Sequence, residues 1–221
     1  MLKVNEVFET IQGEGVYTGV PSIFLRLQGC PVGCAWCDTK HTWEIDLEQQ
    51  TSFETVKQKQ TDGEQWCQVT EEEVVKVCKS QYMARHVVIT GGEPCMYDLS
   101  QLTETLESEG FSCQIETSGT FEVKASEKTW VTVSPKVGMK GGLTMKAQAM
   151  LRANEIKHPV GTQKDIDNLN DLLSSFTTQE NIVVALQPIS QKQRATQLCI
   201  DTCIQNNWRL SIQTHKYLSI A

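Results

Sequence analysis

The chain has 221 residues, of which 39% are hydrophobic and 21% charged, a balance that is ordinary for a globular protein and argues against a disordered or fibrous one. Its formal net charge of −7 argues against nucleic acid as the main partner. No stretch approaches the roughly 18 continuous apolar residues of a membrane span, and the N-terminus lacks an export signal. The nine cysteines are therefore expected to be reduced thiols of a cytoplasmic protein.

Strand and helix patterns alternate along the chain. Strands are predicted in the first half of 4–15 and at 22–27, 85–90, 111–116, 130–133, 155–160, 182–186 and 208–213. Helices are predicted after a capping box at Thr70, between Asp98 and Gly110, and at about 144–153, 164–175 and 191–206. Residues 44–69 are polar and aperiodic, which indicates an insertion, and the last strand is followed by an irregular tail.

This alternation predicts an α/β fold with a parallel sheet. About six core strands and fewer good helices fall short of a complete eight-fold barrel, which needs about 250 residues. We therefore predict a partial, open (β/α) barrel.

Three cysteines lie close together in the loop after the second predicted strand. Cys30, Cys34 and Cys37 have the spacing C-x3-C-x2-C. Thiolates at this spacing can converge on one soft metal centre, either zinc or an iron–sulfur cluster. A zinc site completed by His41, and cysteines that merely pack, are the alternatives.

Other polar loops also follow predicted strands, and the carboxyl ends of parallel strands meet at one edge of a sheet. We therefore expect one rim to carry 91–93, 116–119, 134–136 and 187–188, together with the cysteine loop. Arg26 stands inside an apolar strand, either at a solvated edge or aimed at a carboxylate. His215, in the tail, is the strongest functional candidate among the histidines.

The cysteine pattern, with Trp36 as the aromatic residue before the third cysteine, resembles the signature of the radical S-adenosylmethionine (radical SAM) enzymes. The resemblance implies a 4Fe-4S cluster on Cys30, Cys34 and Cys37, with one iron open to S-adenosylmethionine. It also implies a Gly-Gly-Glu motif whose carboxylate lies near the methionyl ammonium. The cofactor contacts it implies are Gly91, Gly92, Glu93, Thr117, Ser118, Ser134, Pro135, Lys136 and Gln187.

A narrower resemblance covers nearly the whole chain. Segments 9–15, 34–39, 90–94, 134–136 and 213–218 are similar to the 7-carboxy-7-deazaguanine synthase family, in its gammaproteobacterial branch. The resemblance implies a lyase that converts 6-carboxy-5,6,7,8-tetrahydropterin to 7-carboxy-7-deazaguanine with loss of ammonia, on the route to queuosine. A 5′-deoxyadenosyl radical would take the C6 hydrogen, so the cofactor and not a side chain would carry the radical chemistry.

The same resemblance implies a single radical SAM domain over 1–221, with 214–221 contributing to the substrate site. It implies a homodimer, an external flavodoxin-like or ferredoxin-like electron donor, and Mg2+ held by Thr39. The substrate contacts it implies are Ile11, Gln12, Gly13, Glu14, Arg26, Thr90, His215 and the terminal Ala221.

Two other functions stay open from the sequence. One is another small radical SAM enzyme, such as an activase that makes a glycyl radical in a partner protein. The second is a non-enzymatic zinc or iron–sulfur protein. Cys95, which follows the Gly-Gly-Glu motif, is either inert packing or a further group near the cluster.

Overall fold

The computed structural model describes residues 1–218, apart from the side chain of Gln191. The strands are Leu2–Ile11 (β1), Pro21–Leu27 (β2), Cys67–Val69 (β3), His86–Gly91 (β4), Ser112–Thr117 (β5), Trp130–Val133 (β6), Glu155–Val160 (β7), Val183–Pro188 (β8) and Arg209–Leu210 (β9). They form one open sheet in the order β3-β1-β2-β4-β5-β6-β7-β8-β9.

Seven helices accompany the sheet within the described residues. They are Phe53–Lys57 (α1), Glu71–Gln81 (α2), Ser100–Ser108 (α3), Ala147–Arg152 (α4), Gln163–Ser175 (α5), Gln193–Asn206 (α6) and Thr214–Leu218 (α7). None of these helices is long and apolar enough to cross a membrane.

The sheet is mixed, where the sequence predicted a parallel one. Strands β2 and β4 to β9 are parallel neighbours, whereas β1 pairs antiparallel with both β2 and β3. The connection between β1 and β2, at 12–20, is too short for a crossover, so these strands form a hairpin. The open, shortened barrel that the sequence predicted is otherwise confirmed.

Side chains alternate across the sheet, because successive residues of a strand point to opposite faces. Leu25, Ile115 and Ile156 are fully buried in the core that includes the helices. The opposite face carries polar residues that point into the barrel, among them Gln114, Glu116, Thr132, Glu155 and Lys157. Arg26 belongs to this second face, which explains a charged residue in an apolar strand.

Several predicted boundaries move. Helix α3 begins at Ser100, while Asp98 accepts the N–H of Ser100 at 3.1 Å, and α4 begins only at Ala147. The last strand is two residues long, and the predicted irregular tail is helix α7. Beyond β9, the backbone N–H of Thr214 bonds to the carbonyl of Gly13 at 3.0 Å, which brings the chain end to the loop after β1.

The polar segment 44–69 takes part in the fold. It supplies edge strand β3, which pairs with β1. Trp66 and Val56 are each 1% exposed, and the indole N–H of Trp66 donates to the carbonyl of Asp46 at 2.8 Å. Cys67, which belongs to the segment predicted to be a polar insertion, is buried in the core. The polar composition of the segment did not predict its packing against the core, because only a few apolar side chains anchor it.

We predict that Trp66→Ala lowers the free energy of unfolding by about 3–5 kcal/mol, since it empties a buried site. Leu47→Ala, in the same segment and 74% exposed, should change it by less than about 0.5 kcal/mol. Denaturant titration of both variants measures this. Equal effects would show that the segment is not anchored through Trp66.

Candidate active site

A cavity of about 1060 Å³ lies at the carboxyl ends of the parallel strands. Its lining contains nearly all the residues that the sequence predicted for a site. These are Ile11, Gln12, Gly13, Glu14, Arg26, Cys30, Cys34, Cys37, Thr39, Thr90, Gly91, Gly92, Glu93, Thr117, Ser118, Ser134, Lys136, Gln187 and His215. Pro135 is buried and does not line it, and Ala221 lies outside the described residues.

The cysteine loop is anchored by its own backbone. The N–H groups of Gly29 and Cys30 donate to the carbonyls of Thr42 and Trp43, at 2.7 and 3.0 Å. The carbonyl of Gly29 in turn accepts the N–H of Glu93 at 2.8 Å. The loop after β2 and the turn after β4 therefore share one rigid hydrogen-bond network.

Three free thiols face the cavity from this loop. Burial raises the pKa of Cys30 to about 11 and also raises that of Cys34, so metal binding there must displace protons. The indole N–H of Trp43 lies 3.3 Å from the sulfur of Cys37. A soft, three-thiolate donor set of this kind fits an iron–sulfur cluster.

His41 does not complete a zinc site with the cysteines. Sulfur ligands of tetrahedral zinc stand about 3.8 Å apart, given a Zn–S bond of about 2.3 Å. Within residues 1–218, the group of three side chains whose ligand atoms lie within 4.8 Å of one another is Glu6, His41 and Asp62, not the cysteine triad. The arrangement favours a larger metal centre on the three sulfurs.

Gly91 ends β4 and Gly92 follows it, and both allow close packing within the chain. Gly91 has φ of +108°, and a Cβ there would lie 2.3 Å from the nitrogen of Leu27. A Cβ on Gly92 would lie 2.1 Å from the carbonyl oxygen of Gly29. Their missing side chains thus let the turn approach the cysteine loop, and the cofactor contacts of Gly91 and Gly92 stay predictions.

The Glu93 carboxylate is occupied by the protein. It is 1% exposed, and Oε1 accepts from the N–H of Cys95 at 3.0 Å and the hydroxyl of Thr117 at 2.6 Å. Oε2 accepts from the N–H of Ser118 at 2.8 Å and from the Ser118 hydroxyl. These bonds fix the end of β5, and the contact of Glu93 with a ligand ammonium stays a prediction.

Lys157 forms ion pairs with two glutamates inside the barrel. Its Nζ donates to Glu14 Oε2 at 2.7 Å and to Glu116 Oε2 at 2.9 Å, and the lysine is 7% exposed. The other Glu14 oxygen accepts from the side-chain amides of Gln213, at 2.8 Å, and Gln187, at 3.4 Å. One ammonium thus joins β7 to β5 and to the loop after β1.

These ion pairs separate the pKa values of the two carboxyls. Burial alone would raise the pKa of Glu14, but Lys157 holds it at about 2. Burial raises the pKa of Glu116 to about 7 against the opposing charge of Lys157. Burial alone would lower the pKa of Lys157, but both carboxylates raise it above its usual range. Glu14 is an anion at neutral pH, whereas Glu116 can exchange a proton.

The C-terminal helix closes this side of the cavity. The hydroxyl of Thr214 donates to the carbonyl of Gly13 at 2.9 Å. A Cβ on Gly13 would lie 2.5 Å from Nδ1 of His215, and one on Gly15 would lie 2.8 Å from Glu155 Oε1. Glycine at 13 and 15 therefore makes room for the chain's own side chains, and it places His215 beside the loop that carries Glu14.

Arg26 and the side chains around it form another part of the cavity wall. Its Nε lies 2.9 Å from Glu6 Oε2, and its guanidinium lies 5.4 Å from the ring centroid of Phe8. Of the two alternatives for Arg26, the structure shows the guanidinium paired with a carboxylate, and Arg26 keeps 21% of its side chain exposed.

Thr39 and Asp38 differ in their surroundings. The Thr39 hydroxyl lies 3.5 Å from the Cys37 sulfur and 3.4 Å from the carbonyl of Gly91, both long contacts, and it faces the cavity. Asp38 also lines the cavity but is exposed to solvent.

Neither Lys157 nor the role of Glu116 as a titrating group was predicted from the sequence. A lysine within the buried strand pattern of 155–160 was the available signal, because a buried ammonium requires a carboxylate partner. Cys95 lies in the hydrophobic core and is not among the cavity-lining residues, as the packing alternative required. His86 stands on β4 and bonds to Ser112 and Gln114.

Comparison with known proteins agrees with this geometry. A model of the Radical SAM superfamily matches residues 25–136. The chain is 59% identical over 219 residues to the 7-carboxy-7-deazaguanine synthase of Escherichia coli strain K12, with 99% of this chain and 98% of that protein covered. The protein of that name from Buchnera aphidicola subsp. Schizaphis graminum is 50% identical over 218 residues, with 98% of each covered. The crystal structure of QueE from Escherichia coli matches with a TM-score of 0.94 and 58% identity, over 96% of this chain and 93% of that one.

We predict that Gly92→Ala lowers the free energy of unfolding by about 1–3 kcal/mol through overpacking and sharply reduces the iron bound after anaerobic reconstitution. The added methyl would displace the carbonyl of Gly29 and with it the cysteine loop. Gly63→Ala is the matched control, since nothing lies within 4 Å of a Cβ there. Parental iron content in Gly92→Ala would contradict the shared network.

Proposed function

This chain belongs to the 7-carboxy-7-deazaguanine synthase family of the radical SAM superfamily, and from that premise we propose that it converts 6-carboxy-5,6,7,8-tetrahydropterin to 7-carboxy-7-deazaguanine and ammonia. One observation supports the proposal most strongly: a single cavity has three thiols on one side and, on another, the charged groups of Glu14, Glu116 and Lys157. We call this charged region the floor of the barrel. The thiols suit a cluster, and the floor suits a polar heterocycle.

Cys30, Cys34 and Cys37 would hold the 4Fe-4S cluster. When the cluster and S-adenosylmethionine are bound, they supply the radical that abstracts hydrogen from the substrate. Ser134, Lys136 and Gln187 line the cavity and would contact the cofactor. The buried Oε1 of Gln187 has no hydrogen-bond partner among residues 1–218, which supports a role in accepting a bond from a ligand.

Glu93 and the remaining cofactor residues act as one unit in this proposal. Because its oxygens are used by Thr117 and Ser118, Glu93 would act on the cofactor indirectly, by holding these two residues at the rim. Gly91 and Gly92 would do the same for the cysteine loop.

Substrate binding is assigned to the opposite side of the cavity. Arg26 would exchange Glu6 for the substrate carboxylate, which a planar guanidinium can bind with two parallel hydrogen bonds. Glu14 would accept hydrogen bonds from the polar edge of the pterin, and the side-chain amide of Gln12 would donate one to it. His215 would cover the bound ring. Ile11, Gly13 and Thr90 complete this wall.

Magnesium and the macromolecular partners complete the proposal. Mg2+ prefers oxygen ligands and retains several waters. The ion would therefore be held by the Thr39 hydroxyl as its protein ligand, together with the substrate and water. Nine free thiols suit a reducing compartment, and we propose the cytoplasm. The homodimer, the single-domain organisation and the external one-electron donor of flavodoxin or ferredoxin type stay predictions.

We predict that anaerobically reconstituted protein binds about four irons and, with a reductant and S-adenosylmethionine, forms 7-carboxy-7-deazaguanine from the pterin. Alanine at Cys30, Cys34 or Cys37 should abolish both, while Cys95→Ala, as a control, should retain both. Iron and sulfide analysis and product mass spectrometry measure this. One zinc per colourless chain would favour the zinc protein. Cofactor cleavage without pterin turnover would favour another radical SAM enzyme.

A second prediction tests the magnesium ligand. Thr39→Val should keep the cluster and cleave S-adenosylmethionine, yet turn over the pterin slowly and lose its response to added Mg2+. Asp38→Asn is the matched control and should respond to Mg2+ like the parent. The reverse pattern would assign the metal to Asp38.

A further inference from the structure

We propose that Glu116 is the group that manages protons when ammonia leaves, donating one to the departing amine and then taking one from the ring carbon. The inference rests on the proposed function, because it assigns a role within that reaction. Its evidence is the position of Glu116 in the barrel floor and the balance of charge around it.

The chemistry requires such a group. Loss of ammonia breaks one carbon–nitrogen bond and one carbon–hydrogen bond and forms one carbon–carbon double bond. The electron pair of the carbon–hydrogen bond becomes the double bond, and the pair of the carbon–nitrogen bond leaves with nitrogen. Nitrogen gains one proton and carbon loses one, so a single carboxyl group that donates first and accepts afterwards returns to its starting state.

Charge counting places an exchangeable proton in this floor. Three carboxyl groups lie at it: Glu14 from the loop after β1 and Glu116 from β5 on the cavity surface, and Glu155 from β7 directly behind them. Two ammonium groups oppose them, Lys157 from β7 and Lys136 from the segment after β6. An unpaired charge is costly in a buried site, so one carboxyl group is stabilised in its neutral form. His215 from α7 faces Glu14 across the same space.

Position distinguishes the three carboxyl groups. Glu155 is fully buried, accepts bonds from Val16 and Thr132, and is not among the cavity-lining residues. Glu14 lines the cavity but accepts from three side chains, which favours its anion. Glu116 lines the cavity with 14% of its side chain exposed and has two side-chain donors. It thus combines access to the cavity with fewer side-chain donors than Glu14 has, so its anion is stabilised less than that of Glu14.

The direction of its titration agrees with this assignment. Burial is the larger influence and raises the pKa of Glu116 to about 7, near the pH at which the best acid–base catalysts titrate. Glu116 is thus divided between neutral acid and carboxylate at neutral pH, while Glu14 stays ionised. Two carboxyl groups whose pKa values are separated by their surroundings in this way have different roles.

The first test needs neither cluster nor cofactor. Infrared titration of unreconstituted protein labelled with 13C at glutamate carboxyl groups should show one carboxyl that loses its proton between about pH 6 and 8. Glu116→Gln should remove that band and Glu155→Gln should keep it. Absence of the band in the parent, or its persistence in Glu116→Gln, would overturn the proposal even if a variant folded poorly.

The second test separates the radical step from ammonia loss. In Glu116→Gln, the pterin should be converted at nearly the parental rate to a species of the same mass, since the abstracted hydrogen must be returned before ammonia leaves, while formation of product and ammonia falls by roughly 10²- to 10⁴-fold. Glu116→Asp should recover part of the rate with a shifted pH profile. Parental product formation, or an equal loss of pterin consumption, would overturn the proposal. Failure of the parent to convert the pterin would instead refute the proposed function, and the infrared result would still stand.

Discussion

The contact between the Lys157 ammonium and two carboxylates organises the interior of this protein. Lys157 stands on β7, and its partners stand on β5 and on the loop after β1, so the pairs cross the barrel. A buried ammonium is tolerated only when it is paired and hydrogen-bonded. Glu14 in turn binds Gln213, next to the C-terminal helix. Loss of Lys157 would leave both carboxyl groups without an ionic partner.

A second constraint comes from close backbone contact at the opposite wall. The cysteine loop and the turn after β4 exchange hydrogen bonds that a single extra methyl group would break. Glu93 extends the same network to β5 through Thr117 and Ser118. The thiols are therefore held by main-chain atoms rather than by a flexible loop, which suits a centre that must meet its substrate at fixed geometry.

The polar segment between β2 and α2 illustrates how a wall can be built from few apolar residues. Trp66 and Val56 anchor it, and Lys59 then bonds to Asn5 at 3.2 Å and to the carbonyl of Gln65 at 2.6 Å. Residues 59–62 line the cavity beside Arg26. The segment thus narrows the side of the cavity that carries Arg26.

The sequence by itself determined the strand and helix alternation, the cysteine spacing and the rim loops, because periodicity and spacing are local properties of the chain. Tertiary structure alone decided the antiparallel hairpin of β1, the anchoring of Trp66 and the role of Gly92. It also brought Lys157 to Glu116, two residues 41 positions apart. A pKa and a steric contact depend on what other segments place nearby, and that neighbourhood exists only once the sheet has formed.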